Sequence, residues 1–158
     1  MKIFISNNQD DTQKIARDLA EEILAGKAMS RLNLDIGGEG AVVVALIGYL
    51  GGGKTTFARG FADGLGIEEK TKSPTFIIFR KSKIKNQKSK FKNLYHFDVY
   101  RIHDEKEILN LGWEEIISNP ENIVLVEWAD KIEKILPKNC VRINFKHLAG
   151  DKREIEII

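Results

Sequence analysis

Apolar residues first recur at helical spacing: Ile15, Leu19 and Ile23, with Ala16 and Ala20 beside them, predict a helix over 10–24. Asp10, Asp11 or Thr12 can cap its start, and Gly26 can end it. Residues 1–5 read as a short strand before it. From Ala41 to Ile47 the apolar run is continuous, the pattern of a strand buried on both faces beneath helices. The helical period returns over Thr55 to Leu65 through Phe57, Phe61 and Leu65, with Gly66 after it. Phe76 to Phe79 and Leu94 to Tyr100 read as strands, and Asp104 to Leu111 as a short helix broken by Gly112. Ile123 to Val126 is a second wholly apolar strand, and it ends on Glu127. Val141, Ile143 and Phe145 then alternate with polar residues, as do Ile155 and Ile157, around a turn at 149–151. That is the signature of an antiparallel hairpin. Helices alternating with buried strands predict an α/β three-layer sandwich, with a mostly parallel central sheet and antiparallel additions.

Composition narrows the class without naming it. A length of 158 residues suits a single domain, and 42% hydrophobic residues supply a core. The formal net charge is only +2, so bulk charge demands no polyanionic partner. Cys140 is the one cysteine, so no internal disulfide and no paired-cysteine metal site can form; a buried structural thiol is expected. The start of the chain turns polar and acidic too soon for a signal peptide. No apolar run approaches the roughly 20 residues that span a bilayer, so a soluble cytoplasmic protein with no membrane partner is expected.

Chemistry concentrates after the first buried strand. Gly48-Tyr49-Leu50-Gly51-Gly52-Gly53-Lys54-Thr55 satisfies the phosphate-loop pattern at each fixed position, with a buried strand before it and an amphipathic helix after. Glycines let the backbone curl so that successive N–H groups converge on phosphate oxygens, and the helix N-terminus adds to that field. Lys54 supplies a point charge for the β- and γ-phosphates, and the Thr55 hydroxyl is a hard oxygen ligand for Mg²⁺. The expected ligand is therefore ATP with Mg²⁺, in a P-loop NTPase-like fold. Glu127, at the carboxyl end of a buried strand, stands where a second Mg²⁺ ligand belongs. Asp98 can orient an attacking water or support the metal shell; a salt bridge to Arg101 is the structural alternative. Alternation puts His96 on the face of Asp98, as a hydrogen-bonded core partner rather than a ligand. No Asn-Lys-x-Asp motif for guanine is present.

Several segments together resemble the TsaE (YjeE) family, the small ATPases of bacterial tRNA threonylcarbamoyladenosine synthesis. They are the loop with Thr56 to Gly60 after it, Lys72 to Phe76, Tyr95 to Arg101, Leu111-Gly112 and Val126-Glu127-Trp128. Their order and spacing cover nearly the whole chain. The resemblance implies roles. Gly48, Leu50, Gly51, Gly52, Gly53, Lys54, Thr55 and Thr56 would hold the nucleotide, with Thr55 and Glu127 on Mg²⁺. Asp98 would serve hydrolysis, with Lys54 and Glu127 completing the catalytic group. Ser73, Pro74 and Thr75 would form a switch-like segment near the γ-phosphate, and Trp128 would sit beside the site. Thr12 matches, most loosely, a helix position near the nucleotide base. TsaD and TsaB are the implied partners, with tRNA reached through their complex. Two departures stand out: Tyr49 where the family usually has Asp, and Gly52 where it has Ala. The connection before the first core strand is also longer than usual.

Arg80 to Lys92 carries seven cations and no acid. It reads as the link between strands ending near Phe79 and beginning near Leu94, either a solvated loop or a contact for tRNA phosphates or an acidic partner. Two other functional classes fit the loop: a small-molecule kinase, although no Arg-rich lid is found, and a nucleotide-dependent binder that does not hydrolyse.

Overall fold

The computed structural model describes residues 1–26, 38–67 and 78–158. Its elements are β1 (Lys2–Ser6), α1 (Gln9–Leu24), β2 (Val42–Gly48), α2 (Lys54–Gly64), β3 (Phe79–Lys83), β4 (Asn93–Asp98), α3 (Glu105–Leu109), α4 (Trp113–Ser118), β5 (Asn122–Glu127), a kinked 3₁₀ segment (Ala129–Ile135), β6 (Val141–His147) and β7 (Arg153–Ile157). One seven-stranded sheet runs in the order β1-β7-β6-β2-β5-β4-β3. The central pairs β6-β2, β2-β5 and β5-β4 are parallel, while the flanking pairs are antiparallel. This is the mixed α/β sheet the patterning predicts.

The continuous apolar runs of β2 and β5 have a direct structural cause. Val44 and Leu46 of β2, with Ile123 and Leu125 of β5, pack under α1 and α2 against Leu19, Ile23, Phe57 and Phe61. Val43, Ala45, Val124 and Val126 point to the opposite face, where α3, α4 and the 3₁₀ segment bring Ile108, Trp113 and Ile132. Both faces are dry, so β5 carries only apolar residues between Asn122 and Glu127, and β2 only apolar residues before Gly48. α1 and α2 pack closely because α2 carries Gly60: a Cβ there would stand 2.4 Å from the carbonyl oxygen of Gln13. Cys140 is buried in the second core, and that burial pushes its thiol up from the ordinary value.

Two expectations need correction, and two features go beyond the patterning. α1 is capped by Asn8, whose side chain accepts from the Asp11 N–H at 2.8 Å; Asp11 instead turns its carboxylate back to the Asn7 N–H. The strand expected over Phe76 to Phe79 begins at Phe79 and runs through the first part of the basic segment to Lys83. It does so because it is an outer strand paired only with β4, where lysines can stay in water while Phe79 stacks on Phe97 at 4.9 Å. Gly112, with a φ of 85°, both ends one helix and starts another, α4. The 3₁₀ segment after Trp128 has no counterpart in the patterning; its buried residues Ala129 and Ile132 are too few to show a period. Ser73, Pro74, Thr75 and Phe76 lie outside the described residues.

Candidate functional site

The parallel strands β2, β5 and β4 end along one edge, and their register sets the site. Leu46 lies opposite Glu127, and Glu127 opposite Asp98. Beyond Gly48 the chain turns through the glycine loop into α2. Gly51 and Gly53 have φ of 76° and 101°, which only glycine adopts without strain. Inside the curl, Lys54 is 4% exposed, and its ammonium donates to the carbonyls of Gly48 at 2.6 Å and Tyr49 at 2.8 Å. Burial lowers the Lys54 pKa, opposed by the nearby carboxylates of Glu127, Asp130 and Asp98.

Glu127 is 1% exposed, and both its oxygens are engaged. Thr55 donates its hydroxyl to Oε2 at 2.9 Å, and His96 Nε2 contacts Oε1 at 2.8 Å. A buried carboxylate needs such partners, since an unpaired charge removed from water is strongly disfavoured. Trp128 follows in a left-handed conformation, φ 62°, a non-glycine strain of order 1–3 kcal/mol held by its surroundings. That turn lays the indole over the Lys54 ammonium, 3.8 Å from the ring centroid, with Tyr100 packed on it at 4.7 Å.

A cleft of about 280 Å³ opens over this group. Leu50, Gly51, Gly52, Gly53, Lys54, Thr55, Thr56, Glu127 and Trp128 all line it, so most of the predicted site residues are brought together. Gly48 lies behind the wall and presents its carbonyl to Lys54. Asp98 stands at the end of β4 beside Glu127, with its Oδ1 accepting the Tyr100 N–H at 3.1 Å, and is not part of the cleft wall. Thr12 is a correction: it is fully buried at the joint of β1 and α1, its hydroxyl 2.7 Å from that of Ser6. The cleft is reached from α1 by Gln9 instead. Ser73 and Thr75 lie outside the described residues.

The two departures in the loop have local explanations. Tyr49 is 88% exposed, and it is its backbone carbonyl that serves the loop, accepting from Lys54 and from the Gly52 N–H. A Cβ on Gly52 would stand 2.9 Å from that same carbonyl oxygen, so glycine here lets the turn close tightly.

Three neighbours escaped the sequence reading. Arg153, at the start of β7, rests on Gly53: a Cβ there would be 3.0 Å from Arg153 Cδ. Its Nη1 donates to the Asp151 carbonyl, and its Nε is buried without a hydrogen-bond partner among the described residues. Nothing local marks Arg153 or Gln9, because sheet order brings the first to the loop and the packing of α1 on α2 the second. Tyr100 did have a signal, since it follows Asp98 by two residues in the strand-end segment. A larger groove of about 480 Å³ lies between β1 and the outer side of α1, but its lining contains no residue of the loop.

The donor set fits a magnesium nucleotide. Thr55 and Glu127 supply adjacent hard oxygens, and Lys54 a buried cation, at the N-terminus of α2. Among the described residues no group of three or more His, Cys, Asp or Glu could hold a metal by itself. Mg²⁺ in phosphate-loop sites takes one or two protein ligands and completes its shell with phosphate and water.

Residues 6–155 match the family model described as threonylcarbamoyl adenosine biosynthesis protein TsaE. A tRNA threonylcarbamoyladenosine biosynthesis protein TsaE from Bacillus subtilis is 43% identical over 129 residues, 82% of this chain and 76% of that protein. One from Haemophilus influenzae is 36% identical over 84% of this chain and 80% of its own length. One from Rickettsia felis is 31% identical over 99% of this chain and 79% of its own. A crystal structure of YdiB from Bacillus subtilis superposes with a TM-score of 0.67 at 30% identity, covering 99% of this chain and 83% of that one.

Proposed function

The chain belongs to the TsaE family of threonylcarbamoyl adenosine biosynthesis proteins, and from that premise we propose that it is a Mg²⁺-dependent ATPase driving the tRNA-modifying step. The observation that carries the reading is the buried Lys54–Thr55–Glu127 group at the mouth of the loop, with both Glu127 oxygens held in place.

In this reading the loop N–H groups and the N-terminus of α2 take the phosphates, and Lys54 exchanges the Gly48 and Tyr49 carbonyls for phosphate oxygens. Thr55 and Glu127 hold Mg²⁺, which would offset the charge that develops on the transferred phosphoryl group. Asp98, in register with Glu127, positions the attacking water or accepts its proton. Trp128 and Tyr100 close one side and limit water around the reacting oxygens. Arg153 brings a second cation to the loop from the opposite side. ATP is preferred to GTP because no guanine-reading motif is present.

TsaB and TsaD are the proposed partners, with TsaD transferring the threonylcarbamoyl group to adenosine in tRNAs that read codons beginning with adenine. The ATPase would reset that assembly, in the cytoplasm. No helix of the described residues is long and apolar enough to cross a membrane.

Complementation tests the pathway. Cells depleted of their own TsaE and supplied with this chain should regain threonylcarbamoyladenosine in tRNA, measured by mass spectrometry. Cells supplied with the Lys54→Ala variant should not. Full modification with that variant would sink the ATPase reading, and no modification with the parent chain would sink the pathway reading.

A further inference from the structure

The segment from Arg80 to Lys92 is a built platform rather than a slack loop. β3 and β4 pair antiparallel, and the Ile84 N–H donates to the Lys92 carbonyl at 2.8 Å, extending the hairpin. Ile84 and Phe91 anchor the connection in the core. Ser89 is buried and accepts the Phe91 N–H, Asn86 accepts the Lys88 N–H, and the Lys92 N–H donates to the Glu121 carbonyl. Fixed inward residues leave Lys81, Lys83, Lys85, Lys88, Lys90 and Lys92 all exposed, with no acid among them. Beside them a cleft of about 360 Å³ is lined by Phe79, Lys81, Tyr95, Asn119 and Asn122. Its two aromatic rings are half-buried and 6.0 Å apart, and the Lys81 ammonium lies 5.5 Å from the Tyr95 ring.

We propose that this hairpin and its cleft form an RNA-docking surface, separate from the phosphate loop. Lysines on an outer strand also discourage edge-to-edge pairing, which accounts for Lys81 and Lys83. It does not account for Lys85, Lys88, Lys90 and Lys92, which lie beyond the strand. A protein partner is the poorer match. Cores of protein interfaces are depleted in Lys, and no large apolar side chain of the connection is exposed. Nucleic-acid interfaces are strongly positive, and lysine meets phosphate as a point charge on a flexible stem. The aromatic cleft offers a ring face for a base, with the exposed Asn119, whose Oδ1 accepts the Glu121 N–H, on its rim. Glu115, on the cleft rim, would repel phosphate there, so the backbone runs along the lysine side.

The test is binding of tRNA to the full chain by fluorescence anisotropy between 50 and 200 mM salt. The parent should bind, with affinity falling steeply as salt rises. Replacing Lys83, Lys85, Lys88 and Lys90 by Ser should reduce the log–log salt slope by about 3, since each lost phosphate contact removes roughly 0.7–0.9. Binding at 50 mM should weaken at least tenfold, while ATP affinity, measured in parallel, stays within twofold and reports an intact fold. Replacing the same four by Arg should preserve binding. Tyr95→Leu should weaken binding of single-stranded RNA several-fold at unchanged salt slope. No binding by the parent, an unchanged slope in the Ser variant, or displacement of tRNA by polyglutamate as effectively as by unlabelled RNA of equal charge would each overturn the proposal.

Discussion

The phosphate loop and the lysine hairpin both concentrate cationic chemistry, and they are built in opposite ways. At the loop a single lysine is buried under Trp128, hydrogen-bonded to two carbonyls and held in the field of three carboxylates. At the hairpin six exposed lysines are spread over a connection anchored by Ile84 and Phe91. Buried charge acts through geometry: a hydrogen bond to it is lost when its partner moves by about an ångström, and salt screens it little. Exposed charge acts as a summed field, so no one residue matters greatly and ionic strength matters a great deal. One region is suited to hold a defined ligand in one pose, and the other to hold a polyanion in many.

The comparison breaks most visibly at Lys54. Lys54→Ala removes a charged donor to phosphate, so nucleotide affinity should fall about 10- to 100-fold, the equivalent of roughly 1.5–3 kcal/mol. Calorimetric titration with ATP checks this, and unchanged affinity would place the nucleotide elsewhere. His96 should matter next. It touches no nucleotide in the proposed reading but holds one oxygen of Glu127. His96→Ala should weaken Mg²⁺ about tenfold, read as the Mg²⁺ concentration that half-restores ATP affinity. His96→Gln, which can still donate to that oxygen, should recover much of it. A loss of Mg²⁺ affinity that Gln does not repair would mean the ring only fills space.

Salt sharpens the contrast at smaller amplitude. Between 50 and 200 mM, ATP affinity at saturating Mg²⁺ should change by less than about threefold, because the loop charges are buried and screened little. A steep slope would mean that the phosphates are held by exposed lysines. The smallest effect belongs to Lys88→Ser alone. Thermal unfolding should move by no more than about 0.5 kcal/mol, as for most surface substitutions away from special features.

How far the sequence revealed these regions depends on whether the signal is local. The loop is contiguous, and each residue type there has one job, so Gly48 to Thr55 could be read directly. β2 and β5 were legible because burial on both faces writes itself as an unbroken apolar run. The hairpin β6–β7 was legible from alternation around its turn. Arg153 and Gln9 were not, since their approach to the loop depends on β7 standing two places from β2 and α1 packing on α2. Thr12 was misplaced for a related reason. One turn of helix separates a residue at the cleft from one at the β1–α1 joint, and spacing alone does not orient the helix. β3 was read short because charge hides an outer strand, whose lysines look like loop. α4 was missed because six residues with two buried positions cannot show a period.

The central claim is that Glu127 and Asp98, neighbours in register at the sheet edge, divide the work between metal binding and hydrolysis. The most direct measurement is ATP affinity with and without Mg²⁺, together with phosphate release in the presence of the partner proteins, for Glu127→Ala and Asp98→Ala. The account predicts that Glu127→Ala loses the affinity gained from Mg²⁺, and that Asp98→Ala keeps that gain but loses hydrolysis. Normal Mg²⁺ dependence and normal hydrolysis in both variants would contradict it.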